Sequence, residues 1–280
     1  MTKQGQEVLL FRIPNNTNDY IEVTNYGCAI RGIYVHNNDG VLENVAWGGK
    51  ALAEYENGNP GTIFAGELGK ALAHKVWDVV DEGENYVFMA SQCQAGEGGC
   101  SSAVKVGCHI MWVNLNRLVI DLFVTPEDGT QLPLSTQLLV DAGKYQSLKV
   151  RSFCPQVLEQ GGMLRPVNET AYADMCFTGA AGINDTFIST SEEIKPMAEL
   201  ADEGEGMYLS AYTTLSALRV EEDKDCGALR LVQGASSPVA LGGGVSFTAR
   251  AIYGVDYLRP QPSSEEEVDI NPMSVFFAGE

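Results

Sequence analysis

The sequence predicts an all-β protein, a large antiparallel sandwich, on three observations. Short apolar runs are rich in β-branched and aromatic side chains. Clusters of Gly, Asn and Asp interrupt them about every 8–12 residues, giving on the order of fifteen strands with little helix. No repeat recurs at a fixed spacing, which sets a propeller aside.

The elements follow in order. Residues 7–13, EVLLFRI, start a strand that Pro14-Asn15-Asn16-Thr17-Asn18 turns. From Tyr20 to Lys70 strands alternate with glycine turns. Ile21, Val23, Ile30, Ile33, Val35, Val41, Val45 and Trp47 are the strand formers. Asn25-Tyr26-Gly27 and Asn38-Asp39-Gly40 make the turns, because Gly accepts positive φ and Asn and Asp nearly do. A tyrosine-bearing loop (Tyr55) and a second glycine-rich stretch, 64–70, come next.

Residues 76–92 read as a hairpin around Glu82-Gly83-Glu84-Asn85, and QCQAGEGGCSS at 92–102 as an exposed loop. Residues 103–125 form a long hairpin that turns at Asn114-Leu115-Asn116. Segments 132–143 and 144–159 continue the apolar alternation until Gly161-Gly162. Residues 169–177 fit a short helix or a strand, and 183–190 a strand. SEEIKPMAELADEGEGM is acidic and reads as a surface loop. Segments 208–222, 227–235 and 238–255 read as strands. This gives one domain over residues 1–258. Residues 259–280, rich in Pro, Ser and Glu, read as an acidic, loosely attached tail.

With 37 acidic and 18 basic residues the formal charge is −19. Such a chain repels phosphate backbones and anionic lipid heads, so neither nucleic acid nor a membrane surface is an expected partner. Neutral ligands remain compatible with it. Seven cysteines form no Cys-x-x-Cys pair, and the start MTKQGQEVLL lacks a leader-like apolar run. Reduced thiols and a cytoplasmic location are expected. Cys93 and Cys100 are the one local pair spaced for a disulfide. Three scattered histidines and the absence of a calcium-loop spacing argue against a metal site. Gly242-Gly243-Gly244 precedes a strand, which makes it a turn and not a nucleotide cradle.

Several pieces of the chain, in order, resemble the aldose 1-epimerase (galactose mutarotase) family. These are Val23-Thr24-Asn25-Tyr26-Gly27, Asp39-Gly40, Trp47-Gly48-Gly49, Tyr55 and Phe64-Ala65-Gly66-Glu67-Leu68-Gly69-Lys70. The resemblance implies the galactose mutarotase-like supersandwich, a small-molecule carbohydrate partner, and chemistry that needs no cofactor. In that family a Glu near the C-terminus takes the proton of the anomeric hydroxyl, and a His in an Asn-His-Ser-Tyr-Phe-Asn-Leu strand protonates the ring oxygen.

Here Gln137, in Leu132-Pro133-Leu134-Ser135-Thr136-Gln137-Leu138-Leu139, stands where that His should be, and Val232 or a neighbour where the Glu should be. Gln can hydrogen-bond a sugar but delivers no proton. Asp185, in Asn184-Asp185-Thr186-Phe187, matches the family's sugar-holding Asp. Lys70 replaces the Arg of the Gly-Arg segment, and His74 aligns with a substrate-binding His. The resemblance therefore makes Gln137, Asp185, Lys70 and Trp77 the expected substrate contacts and His74 the one proton carrier. The expected activity is carbohydrate binding with possible anomer interconversion as an aldose 1-epimerase-type isomerase. The alternative is a non-enzymatic binding or structural sandwich.

Overall fold

The structure, a computed structural model, describes residues 1–257 apart from 4, 59–60, 142–147, 177, 181, 203, 205 and 225. The reading of 259–280 as a tail lies outside the described residues. In chain order the elements are β1 (Leu10–Pro14), β2 (Tyr20–Thr24), β3 (Ala29–His36), β4 (Leu42–Asn44), α1 (Leu52–Asn57), α2 (Gly66–Leu72), β5 (Asp78–Gly83), β6 (Tyr86–Cys93), β7 (Val104–Val113), β8 (Arg117–Pro126), β9 (Thr130–Leu132) and β10 (Ser135–Asp141). There follow β11 (Lys149–Ser152), β12 (Gln156–Leu158), β13 (Leu164–Pro166), β14 (Thr178–Gly179), β15 (Asn184–Ile188), β16 (Lys195–Ala201), β17 (Met207–Thr213), β18 (Ala217–Asp223), β19 (Ala228–Gly234), β20 (Val239–Leu241) and β21 (Phe247–Tyr257).

The strands fall into two broad layers. One is a nine-stranded sheet, β14-β11-β16-β17-β21-β8-β7-β6-β5. The other joins the four-stranded sheet β1-β2-β3-β4 to the six-stranded sheet β10-β19-β18-β15-β12-β13. Two irregular segments make the join. On the β10 side, Gln137 N donates to Ile63 O (2.7 Å), Ala65 N to Ser135 O (3.0 Å) and Trp47 N to Leu139 O (2.9 Å). On the β3 side, Ile30 N donates to Gly61 O (2.8 Å), Ile63 N to Cys28 O (3.0 Å) and Val45 N to Ile33 O (2.9 Å). Every named strand pairing is antiparallel, as the alternating pattern requires.

Alternation fills the core between the layers. In β7, Val104, Val106, Cys108, Ile110 and Trp112 are buried. Trp112 crosses the core and donates its indole N–H to Asp19 O (3.2 Å) at the β1–β2 turn. Tyr253 of β21, 1% exposed, reaches the opposite layer and donates to Leu231 O (3.3 Å). A buried phenol or indole needs such a partner, so each of these contacts also ties the layers in register.

The structure corrects several sequence expectations. Pro14 ends β1 opposite Tyr20, and the turn is made by residues 15–19, where Asn15 Oδ1 accepts from Thr17 N and Asp19 N. The Tyr55 loop is helix α1, and the glycine-rich 64–70 segment ends in helix α2. The 92–102 loop buries Cys93 and Cys100, which are free thiols side by side and not a disulfide. The acidic stretch read as a surface loop contains β16, whose Met197, Ala198, Glu199 and Leu200 are buried. Acidity hid that strand because Glu199 is neutralised across the ladder by Arg151 of β11. Segment 208–222 is two strands, β17 and β18, that lie in different sheets, and 169–177 contains a single 3-10 turn at 173–175. Among the described residues no helix is long and apolar enough to cross a membrane.

Gly61 sits at φ +76°, and a Cβ there would stand 2.3 Å from Ile30 O in the seam. Gly40 has the same φ in an open turn with nothing within 4 Å. Gly40→Ala should therefore lower unfolding free energy by the left-handed strain alone, about 1–2 kcal/mol. Gly61→Ala should lower it by clearly more, as read from paired urea-unfolding curves.

Burial pushes the Cys154 thiol up to about 12 and the Cys93 and Cys226 thiols up to about 11. Cys176 alone of the seven is exposed. A chromogenic disulfide reagent at pH 8 should titrate one fast thiol in the native protein and all seven after unfolding. Cys176→Ser should remove the fast phase.

Candidate functional site

The site is built on the face of the six-stranded sheet that looks away from the core. Residues paired directly across antiparallel strands share a face, and alternate residues along a strand switch faces. The register runs Gln137–Val232–Arg219–Thr186 across β10, β19, β18 and β15. The next outward row is Leu139–Arg230–Glu221–Asn184. Between them, Leu138–Leu231–Val220–Asp185 belongs to the inward set.

The outward rows carry a connected polar array. Arg219 pairs with Glu221 at 2.6 Å and donates from Nε to Asn184 Oδ1 at 3.0 Å. Arg230 lies 3.7 Å from the other Glu221 oxygen and also pairs with Asp223. Two guanidinium groups thus face two carboxylates, so the patch has no formal net charge although the whole chain is strongly acidic. The forked side chains present paired donors and acceptors on a rigid strand surface. At the β10 end, Trp47 is half-buried beside Leu139.

The expected site residues do not share one cleft. Gln137 lies on the outward face but is 5% exposed, and its Nε2 donates to Thr62 O (3.0 Å). The seam between the sheets covers it, and the space among Ile30, Ala46, Trp47, Gly61 and Leu139 admits no water-sized group. Asp185 points to the opposite face, about 14 Å away by strand spacing alone. Its carboxylate accepts from Gln160 N (3.0 Å) and from the Tyr172 hydroxyl (2.7 Å), a structural tie between two turns. Trp77 is a core residue, 1% exposed, tilted against Phe64 with centroids 5.6 Å apart. Lys70 is exposed on α2 and pairs with Glu67 at 2.6 Å. His74, exposed after that helix, meets only the edge of Tyr26, with centroids 6.5 Å apart. Among the described residues no three His, Cys, Asp or Glu converge as a metal site.

Three of the five pieces that carried the family resemblance do converge, for reasons of packing. Thr24, Gly49 and Tyr55 line a concavity of about 270 Å³ together with Arg31 and Lys50. A Cβ on Gly49 would stand 2.5 Å from the Tyr55 ring, and one on Gly48 2.4 Å from Arg31 O. Tyr55 donates to Gly49 O (3.2 Å), and burial pushes its phenol up to about 12. Arg31 is held by Glu22, which also takes Arg12 at 3.1 Å.

Sequence reasoning missed the array of Asn184, Arg219, Glu221 and Arg230. The signal was the i, i+2 spacing of Arg219 and Glu221 in a strand otherwise alternating with buried Leu218 and Val220.

No family model matches the chain, and no curated protein matches it in sequence. Solved structures do match in fold. The GalM/aldose epimerase homologue from C. elegans superposes with TM-score 0.81 at 13% identity, covering 90% of this chain and 100% of that one. Galactose 1-epimerase from Lactobacillus acidophilus gives 0.74 at 12% identity over 92% and 97%. A galactose mutarotase-like protein from Lactobacillus casei gives 0.65 at 11% over 89% and 100%. The chain therefore has the supersandwich fold that the sequence resemblance implied.

If Asp185 is a tie between turns, Asp185→Ala should lower stability by about 1–3 kcal/mol, because the Tyr172 hydroxyl loses its acceptor. Ligand binding on the outward face should be unchanged, as checked by unfolding and titration of the same sample.

Proposed function

We propose, on the premise of an aldose 1-epimerase fold with no titrating group at its acid and base positions, that the protein binds a neutral carbohydrate without interconverting its anomers. One observation carries this reading. Gln137 stands where the resemblance puts the family's acid, and Val232 or a neighbour on the adjacent strand where it puts the base. Neither Gln137 nor Val232 with its flanking Leu231 and Gln233 can exchange a proton at neutral pH.

Binding is supported by what surrounds that pair. Arg219, Glu221, Arg230 and Asn184 offer forked groups suited to neighbouring hydroxyls. Trp47 offers an apolar face for sugar C–H groups. The balanced charge of the array, set in a chain of formal charge −19, favours a neutral polyol over a sugar phosphate.

The test combines exchange NMR of glucose and galactose anomers with saturation-transfer titration of neutral monosaccharides. Anomer exchange should run at the buffer rate, and at least one sugar should bind. Arg230→Ala should weaken that sugar about tenfold, the effect of losing a charged hydrogen bond. Exchange faster than buffer overturns the non-epimerising reading. Absence of binding by every sugar leaves a structural sandwich.

A further inference from the structure

The outer face of the nine-stranded layer holds a second concavity, about 250 Å³, lined by Asp81, Tyr86, Phe88, His109 and Phe123. No core covers it, yet its rings are arranged as walls. Phe88 meets Phe123 at 65° with centroids 5.7 Å apart. His109 stands edge-on to Tyr86 at 80° and 5.0 Å, and to Phe88 at 75° and 6.0 Å. The strand beneath is cut back to admit them. A Cβ on Gly107 would stand 3.0 Å from Phe88 Cε2 and 3.5 Å from Phe123 Cβ.

The rim supplies a negative charge. Asp81 is the register partner of Phe88, at the irregularity of β5 between Val79 and Asp81. A bulge of this kind re-aims a side chain. Asp81 Oδ2 accepts from the Tyr86 hydroxyl (2.9 Å) and Oδ1 from Glu82 N (3.0 Å). The carboxylate is thus already hydrogen-bonded at both oxygens. Arg250, in the same row of the sheet, is neutralised by Asp121 at 2.6 and 2.8 Å.

We propose that this box binds a quaternary ammonium group, a trimethylammonium head carried by a small molecule or by a methylated lysine side chain. Such a head is attracted to ring faces and donates no hydrogen bond, so it needs a nearby charge and not a free acceptor.

The experiment is NMR titration of the full chain at pH 8, at matched ionic strength, with four probes. These are choline, its neutral isostere 3,3-dimethylbutan-1-ol, a trimethyl-lysine peptide, and the same peptide unmethylated. Choline or the trimethyl-lysine peptide should shift resonances of Phe88, His109 and Phe123, and the isostere and the unmethylated peptide should bind about tenfold more weakly. The better binder of the first two identifies the source of the head. Phe88→Leu should weaken binding about tenfold. Asp81→Asn, at an exposed edge, should do so without touching the rings. Equal binding of the neutral isostere or of the unmethylated peptide overturns the proposal. So does silence with both methylated probes, or wild-type affinity in both variants. None of these readings depends on whether the opposite layer binds a sugar.

Discussion

The edge of β10 is the constraint on which the rest depends. Left open, it would end the six-stranded sheet with a row of unpaired N–H and C=O groups facing the middle of the molecule. Instead the backbone of 45–47 and 61–65 bonds to it on one side and to β3 on the other. Two sheets become one layer broad enough to face nine strands. The same seam closes over Gln137, so the feature that completes the fold also fills the space where a sugar ring would approach that strand. Gly61 matters in this setting because Ile30 O occupies the volume any larger residue would need.

The fold class was legible because its signals are local. Glycine turns at Gly27 and Gly40, the Asn114-Leu115-Asn116 reversal, and alternation such as that of β7 each report on a few neighbouring residues. The order of several glycine-marked pieces carried the family resemblance as well, and three of them meet at Tyr55. What was not legible depended on partners far along the chain. Glu199 reads as solvent-exposed until Arg151, on a strand nearly fifty residues earlier, is placed beside it. Trp77 reads as a wall until Phe64 and the backbone of Leu72 enclose it. For Gln137 and Asp185 the strands were assigned correctly. The face of Asp185 was not, because a one-residue offset reverses a side chain's direction and no local pattern reports it.

The outward rows carry their polar groups on a ladder of unbroken register. Proton transfer to and from a sugar demands groups that titrate near the working pH. Where the resemblance puts the acid, the chain has the amide of Gln137. On β18 and β19, guanidinium and carboxylate groups satisfy one another. Substitutions of this kind leave the backbone pairing intact, which is why similarity in fold does not carry activity with it.

The nine-stranded layer ends at β5, a strand with only one neighbour. It reads Asp78-Val79-Val80-Asp81-Glu82-Gly83, three acids in six residues around a local irregularity. A second copy approaching side by side would set like charges against like and meet a ladder already out of step. The border of this layer is thus protected by repulsion and misfit, and sheet growth stops there without a capping element.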